Sequence, residues 1–180
     1  MPGWVLGLII AVIVLAGVAV WTVWNQRRST RLRSRFGPEY DRTVQEQGNR
    51  RRAEHELERR ETRVERLNIH PLTASEYDRF LAAWQADQVH FVDDPAGAVT
   101  EADRLVQEVM KARGYPVADF DQRVEDISVD HPDLVQNYRA ACDLAERHLR
   151  GQASTEDLRK ALVYYRGLFD DLLEVQKVGR

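Results

Sequence analysis

Hydrophobic and polar positions divide this chain into three regimes. From Trp4 to Trp24 the residues run WVLGLIIAVIVLAGVAVWTVW, with no charge and no proline. From residue 27 to residue 66 only 7 of 40 positions are hydrophobic, too few to close a core. Beyond residue 66 apolar side chains return every three or four positions, the repeat of an amphipathic helix, and no window sustains the alternation of a strand.

The third regime predicts a succession of helices with their own start and stop signals. Thr73 with Glu76 three residues on is a capping box, and Tyr77, Phe80, Leu81, Trp84 and Phe91 follow at helical spacing. Asp94-Pro95 supplies an N-cap and a proline at the first helical position, ahead of the stripe Val99, Ala102, Leu105, Val106, Val109 and Met110. Arg113-Gly114 closes that helix with a basic last turn and a glycine cap. Asp119 to Ser128 predicts a short helix burying Phe120, Val124 and Ile127. Asp130-His131-Pro132 then resets the chain for a helix with Leu134, Val135, Tyr138, Ala141, Cys142, Ala145 and Leu149, closed by Gly151. Ser154 and Asp157 repeat the cap pattern before the most strongly amphipathic stripe, Leu158, Ala161, Leu162, Tyr165, Leu168, Phe169, Leu172 and Leu173. Four main helices and one short one suit a small antiparallel helical bundle over 68–180.

The middle regime predicts a charged stalk helix over 38–67, opened by Pro38 and weakest at Gly48-Asn49. Ala53, Leu57, Val64 and Leu67 approximate one heptad seam, with Arg60 where the seam should continue. A solvated stalk is the leading expectation and a dimeric coiled coil the alternative.

The first regime predicts a transmembrane helix over 4–24: its 21 residues would be about 31 Å long, matching a hydrocarbon core of about 30 Å. Trp4 at one end and Trp21 and Trp24 at the other are placed as interfacial anchors. A cleaved signal peptide fits less well, because residues 1–3 carry no Lys or Arg and the run ends in bulky residues. Gly3, Gly7 and Ala11 form a small-x-x-x-small row, which adds a second route to a homodimer. The expected fold class is therefore all-α, with an N-terminal transmembrane helix, a charged stalk helix and a small antiparallel bundle.

Charge alters this picture more than composition does. The formal net charge of −3 hides a segment 27–66 with 13 arginines against 8 carboxylates and a segment 67–180 with 13 basic against 21 acidic residues. Arg27, Arg28, Arg31, Arg33 and Arg35 crowd the basic juxtamembrane segment 25–37, and nothing basic but the α-amino group precedes the apolar run. The positive-inside rule then places residues 1–3 outside and the C-terminal domain in the cytoplasm, as a single-pass protein of the inner membrane. The same arginines are expected to hold anionic lipid headgroups against the bilayer. Nucleic acid is not an expected partner, since the folded part is acidic and no aromatic residues interleave the arginines. A single cysteine, 10 glycines and 6 prolines exclude a disulfide scaffold and a collagen-like chain.

Candidate chemistry is sparse. His55, His70, His90, His131 and His148 show no spacing that sets two imidazoles on one helical face, and no phosphate-binding or nucleophile-elbow motif occurs. Neither a cofactor, a metal nor an enzymatic activity is expected. Cys142 reads as a core residue. The polar turn Asp126, Asp130, His131 and Asp133 is the one place where a small molecule or ion could be sensed or turned over, against the simpler account that Asp130 or His131 caps the next helix. Arg113-Gly114-Tyr115-Pro116 could hold an anion, yet the glycine cap and proline stop explain it without one. The leading expectation is a membrane-anchored helical module that binds or scaffolds an unknown protein partner.

The segments RFGPEYDRTV, FVDDPAGAVTEADRLVQEVMKARGYP and SVDHPDLVQNYRAA resemble an uncharacterised group of bacterial single-pass membrane proteins. The resemblance covers nearly all of the chain after the apolar run. It implies an anchor, a charged helix and a helical cytoplasmic domain, and it implies no activity and no catalytic residues. The preference for arginine, 23 of 26 basic residues, fits a high-GC bacterial source.

Overall fold

The computed structural model describes residues 3–117 and 119–173, the side chains of residues 3, 5–12 and 14 lying outside the described set. Every regular element among them is a helix: α1 (Gly3–Phe36), α2 (Pro38–Gln47), α3 (Arg50–Glu65), α4 (Ala74–His90), α5 (Pro95–Ala112), α6 (Phe120–Asp130), α7 (Val135–Leu149) and α8 (Thr155–Leu172). They form two compact units whose boundary falls inside α3, between Leu57 and Glu58.

In the first unit, α1 and α2 pack together across a turn at Gly37, whose φ of 48° is open to glycine at little cost. Pro38 starts α2, as its fixed φ and missing N–H suit the first helical position. The stalk expected over 38–67 is not one helix. Gly48 adopts the left-handed conformation (φ 61°) and ends α2, and Asn49 restarts the chain by accepting hydrogen bonds from the backbone N–H groups of Arg51 (2.9 Å) and Arg52 (3.3 Å). The proposed seam is occupied within the chain itself, since Ala53, Leu57 and Val64 are all buried.

Among the described residues no helix is long and apolar enough to cross a membrane. That finding overturns the expected single-pass placement, with its outside N-terminus and cytoplasmic domain. α1 runs from Gly3 to Phe36 and turns polar at Asn25, through Gln26, Arg27 and Arg28. The side chains along the row Gly3, Gly7 and Ala11, and residues 1–2 altogether, lie outside the described set.

The second unit holds the expected helical bundle. α5 packs against α4, α7 and α8, α7 against α8, and α6 against α7. The predicted stripe on α5 is buried throughout, as are Leu158, Ala161, Tyr165, Leu168, Phe169 and Leu172 on α8. Trp84 stacks on Phe169 with centroids 4.4 Å apart, and Tyr138 meets Tyr165 edge-on at 6.0 Å, contacts that add directional preference to apolar burial. Both predicted capping boxes form, Thr73 with Glu76 and Ser154 with Asp157, and Asp94 and Asp119 cap α5 and α6.

Two expectations are corrected in α7. Neither Asp130 nor His131 caps it: the N-cap position falls on Leu134, without a side-chain bond, because Pro132, Asp133 and Leu134 form a separate turn in which Leu134 N–H reaches the His131 carbonyl (3.1 Å). Leu149, assigned to the buried stripe, is 84% exposed, since the stripe has rotated off the bundle by the last turn.

Candidate functional site

The polar turn after α6 does not converge on a shared point. Asp126 is fully buried and accepts from Arg63 Nε at 2.8 Å, while Glu125 takes the Nη2 of the same guanidinium at 2.8 Å and that of Arg60 at 3.4 Å. Burial pushes the Asp126 carboxyl upward, and Arg63 works against that push. Asp130 accepts from the Tyr115 hydroxyl at 2.8 Å. His131 Nδ1 is bonded to the Asp171 carboxylate on α8. Asp133 points to solvent in the intervening turn. The four residues thus serve three separate structural links and one exposed corner. Among the described residues no group of three or more His, Cys, Asp or Glu side chains is arranged to hold a metal ion.

Of the basic and aromatic residues singled out in the sequence, Arg33 pairs with Asp41 at 2.7 Å and lies over the Tyr40 ring, and Arg28 lies over the Trp24 ring. Arg27, Arg31 and Arg35 share the polar end of α1. Trp4, Trp21 and Trp24 are exposed. Between α1 and the start of α3 lies a buried polar knot that periodicity does not reveal. Glu54, 1% exposed, accepts from the Tyr40 hydroxyl (2.9 Å), Arg50 Nε (2.9 Å) and Ser29 Oγ (2.5 Å). Burial alone would raise its carboxyl; the donors from Ser29, Arg50 and Tyr40 outweigh it and hold the group below its ordinary range.

Within the bundle, Cys142 Sγ lies 3.3 Å from the Tyr165 hydroxyl. Burial pushes its thiol up to about 11, so the sulfur is a neutral packing and hydrogen-bonding group and not a thiolate nucleophile.

Asp87 on α4 carries an electrostatic penalty of its own. It is 4% accessible, and neither carboxylate oxygen has a hydrogen-bond partner; the same is true of the Trp84 indole N–H one turn earlier. Burial, with a smaller push from Glu101, lifts its pKa to about 6, while His90 and Arg104 pull weakly the other way. A native pKa above the unfolded value near 4 means that this group costs little in acid and that its penalty grows as pH rises through the interval from about 4 to 6. Asp87→Asn should therefore stabilise the protein by about 1–3 kcal/mol at pH 8 and by little at pH 4. Urea unfolding of both proteins at the two pH values checks this. An equal effect at both would show that the charge is not the cause.

One cleft in the bundle lies apart from all these links. About 250 Å³ in volume, it is lined by Asp94, Ala96, Gly97, Val99 and Thr100 at the start of α5, Ala145, His148 and Leu149 at the end of α7, and Leu158 on α8. Its walls are mixed, with Ala96, Val99, Ala145 and Leu158 beside the polar Asp94, Thr100 and His148; the buried His148 Nδ1 has no hydrogen-bond partner, and Leu149 stands exposed at its edge. A Cβ on Gly97 would come within 2.2 Å of the Asp94 carboxylate, so the absence of a side chain there leaves room for the cap. Sequence reading missed this place because it is made of helix ends. The one signal available was a large apolar residue, Leu149, only two positions before the closing Gly151. No family model, curated protein or solved structure matches this chain.

Proposed function

We propose that this chain is a non-enzymatic helical module that binds a partner protein through the cleft between the ends of α5, α7 and α8. The observation that carries this reading is the cleft itself: a recess with both apolar and polar walls and an exposed leucine at its rim. An exposed Leu149 alone would mean little, because scattered surface hydrophobics are common. Set beside a recess large enough for one or two apolar side chains, it has the makings of an interface centre, where a few anchors supply most of the affinity. The His148 imidazole offers a polar group to fix the orientation of what enters.

The polar residues of the bundle support the same reading. Arg63, Asp126, Tyr115, Asp130, His131 and Asp171 are engaged with one another at bonding distance, as expected of groups that join helices.

Affinity capture on the full chain tests the proposal, with Leu149→Asp and Ala145→Arg as variants that alter the rim and the wall. A protein recovered in equimolar amount with the unaltered chain should fall at least tenfold with either variant, while thermal unfolding stays unchanged in Leu149→Asp, whose side chain is exposed. Equal recovery with both variants would sink it.

A further inference from the structure

We infer that the first unit carries a binding site for a phosphate-bearing anion, in the cavity lined by Asn25, Asn49, Arg50, Arg51 and Glu54. This recess, about 400 Å³ in volume, brings together donors from α1 and α3. Two of its five lining side chains are guanidiniums and two are primary amides, a donor-rich set of the kind that matches phosphate oxygens.

Each wall residue has a definable role. Asn49 spends its side-chain oxygen on the backbone N–H groups of Arg51 and Arg52, which turns its amide nitrogen toward donation. The Arg50 guanidinium is fixed at one edge by Glu54 (2.9 Å) and by Ser29, an anchoring that presets its position. Arg51 is exposed, and its guanidinium lies over the exposed Trp21 ring, 5.7 Å from the centroid, a cation–π contact that orients the charge without consuming its hydrogen-bond donors.

The obvious objection is the Glu54 carboxylate in the wall. Ser29, Tyr40 and Arg50 all bond to its Oε1, and its charge is matched by Arg50. Arg51 therefore supplies the positive charge left over, with Arg52 exposed on the next position of the same helix. The shared chemistry is a phosphate monoester or inorganic phosphate, which could be presented by a lipid headgroup or in free solution.

Two arms separate these sources, both using the full chain. The first is calorimetric titration with inorganic phosphate. The second is co-sedimentation with vesicles of phosphatidic acid in phosphatidylcholine, against phosphatidylcholine alone. Arg51→Gln should weaken whichever binding is seen at least tenfold, Arg51→Lys should retain part of it, and Arg159→Gln, an exposed arginine of the second unit, should change nothing. Because Arg51 and Arg159 are exposed, circular dichroism should show unaltered helix content in all three. Binding in both arms, or in the vesicle arm alone, assigns the site to a headgroup; binding of inorganic phosphate alone assigns it to a soluble compound. No binding in either arm overturns the inference. So does binding that Arg51→Gln and Arg159→Gln weaken equally, since that would reflect overall charge.

Discussion

Arg63→Met should destabilise the protein by about 3–5 kcal/mol, because it leaves the Asp126 carboxylate charged and buried with no countercharge. The native pair is short, 2.8 Å from Nε to Oδ1, and Asp126 is wholly inaccessible to solvent, so water cannot take over from the guanidinium. The same substitution frees Glu125, which bonds the other edge of the guanidinium at 2.8 Å; that carboxylate is partly exposed and retains Arg60 at 3.4 Å. Most of the cost therefore falls on Asp126. Two further measurements separate a buried charge from a simple loss of packing. The double variant Arg63→Met, Asp126→Leu should recover most of the stability, as an apolar pair has no charge to desolvate. The single variant should also suffer less in acid than at neutral pH. Its native Asp126 pKa, raised by burial and no longer opposed by Arg63, then lies above the unfolded value, and protonation favours the folded form as pH falls. A single variant as stable as the unaltered chain at pH 7 would show that the ion pair is solvated in solution.

How far the sequence disclosed this molecule follows from the range over which its signals act. Caps are set by residues three apart, and the boxes at Thr73 and Ser154 form as their spacing requires. Burial stripes depend on a repeat that continues over several turns, and the stripes on α5 and α8 are buried accordingly. Reading failed where one local signal competed with another or where partners come from distant segments. Gly48-Asn49 registered as a weak point within one helix, although a left-handed glycine and an asparagine cap together make a complete stop and restart. In the polar turn, proximity in sequence suggested convergence. The partners that divide it, Arg63, Tyr115 and Asp171, lie up to 63 residues away and left no mark in the turn itself. The cleft was hidden for the same reason, being assembled from the ends of three helices. The apolar run was read as an element of its own that ends at Trp24, whereas α1 continues to Phe36 through five arginines.

Gly114→Ala should cost about 2–4 kcal/mol, more than the same change at Gly151, and the difference isolates a backbone collision from a backbone strain. Both glycines follow helices and have positive φ, 94° and 70°. Both close the same cap. The Tyr115 N–H reaches the Met110 carbonyl (3.0 Å) and the Gly114 N–H that of Lys111 (3.1 Å), as Gln152 and Gly151 do with Arg147 (2.9 Å) and His148 (2.8 Å). An alanine at either site takes on the left-handed penalty of about 1–2 kcal/mol. Around Gly151 nothing lies within 4 Å of an added Cβ, so the penalty there ends with the strain. At Gly114 the added carbon would sit 2.4 Å from the backbone oxygen of Asn68, and a main-chain atom cannot rotate aside. That segment is held over the helix end by the His70 N–H, which donates to the Arg113 carbonyl at 2.9 Å. Relief of the clash therefore means loss of this bond and displacement of residues 68–70. It would also disturb Tyr115, which is buried beside the cap and donates to Asp130. Thermal unfolding of the two variants under identical conditions decides the matter: equal losses at Gly114 and Gly151 would mean that the segment at Asn68 gives way freely, whereas a larger loss at Gly114 fixes that crossing as a rigid part of the bundle.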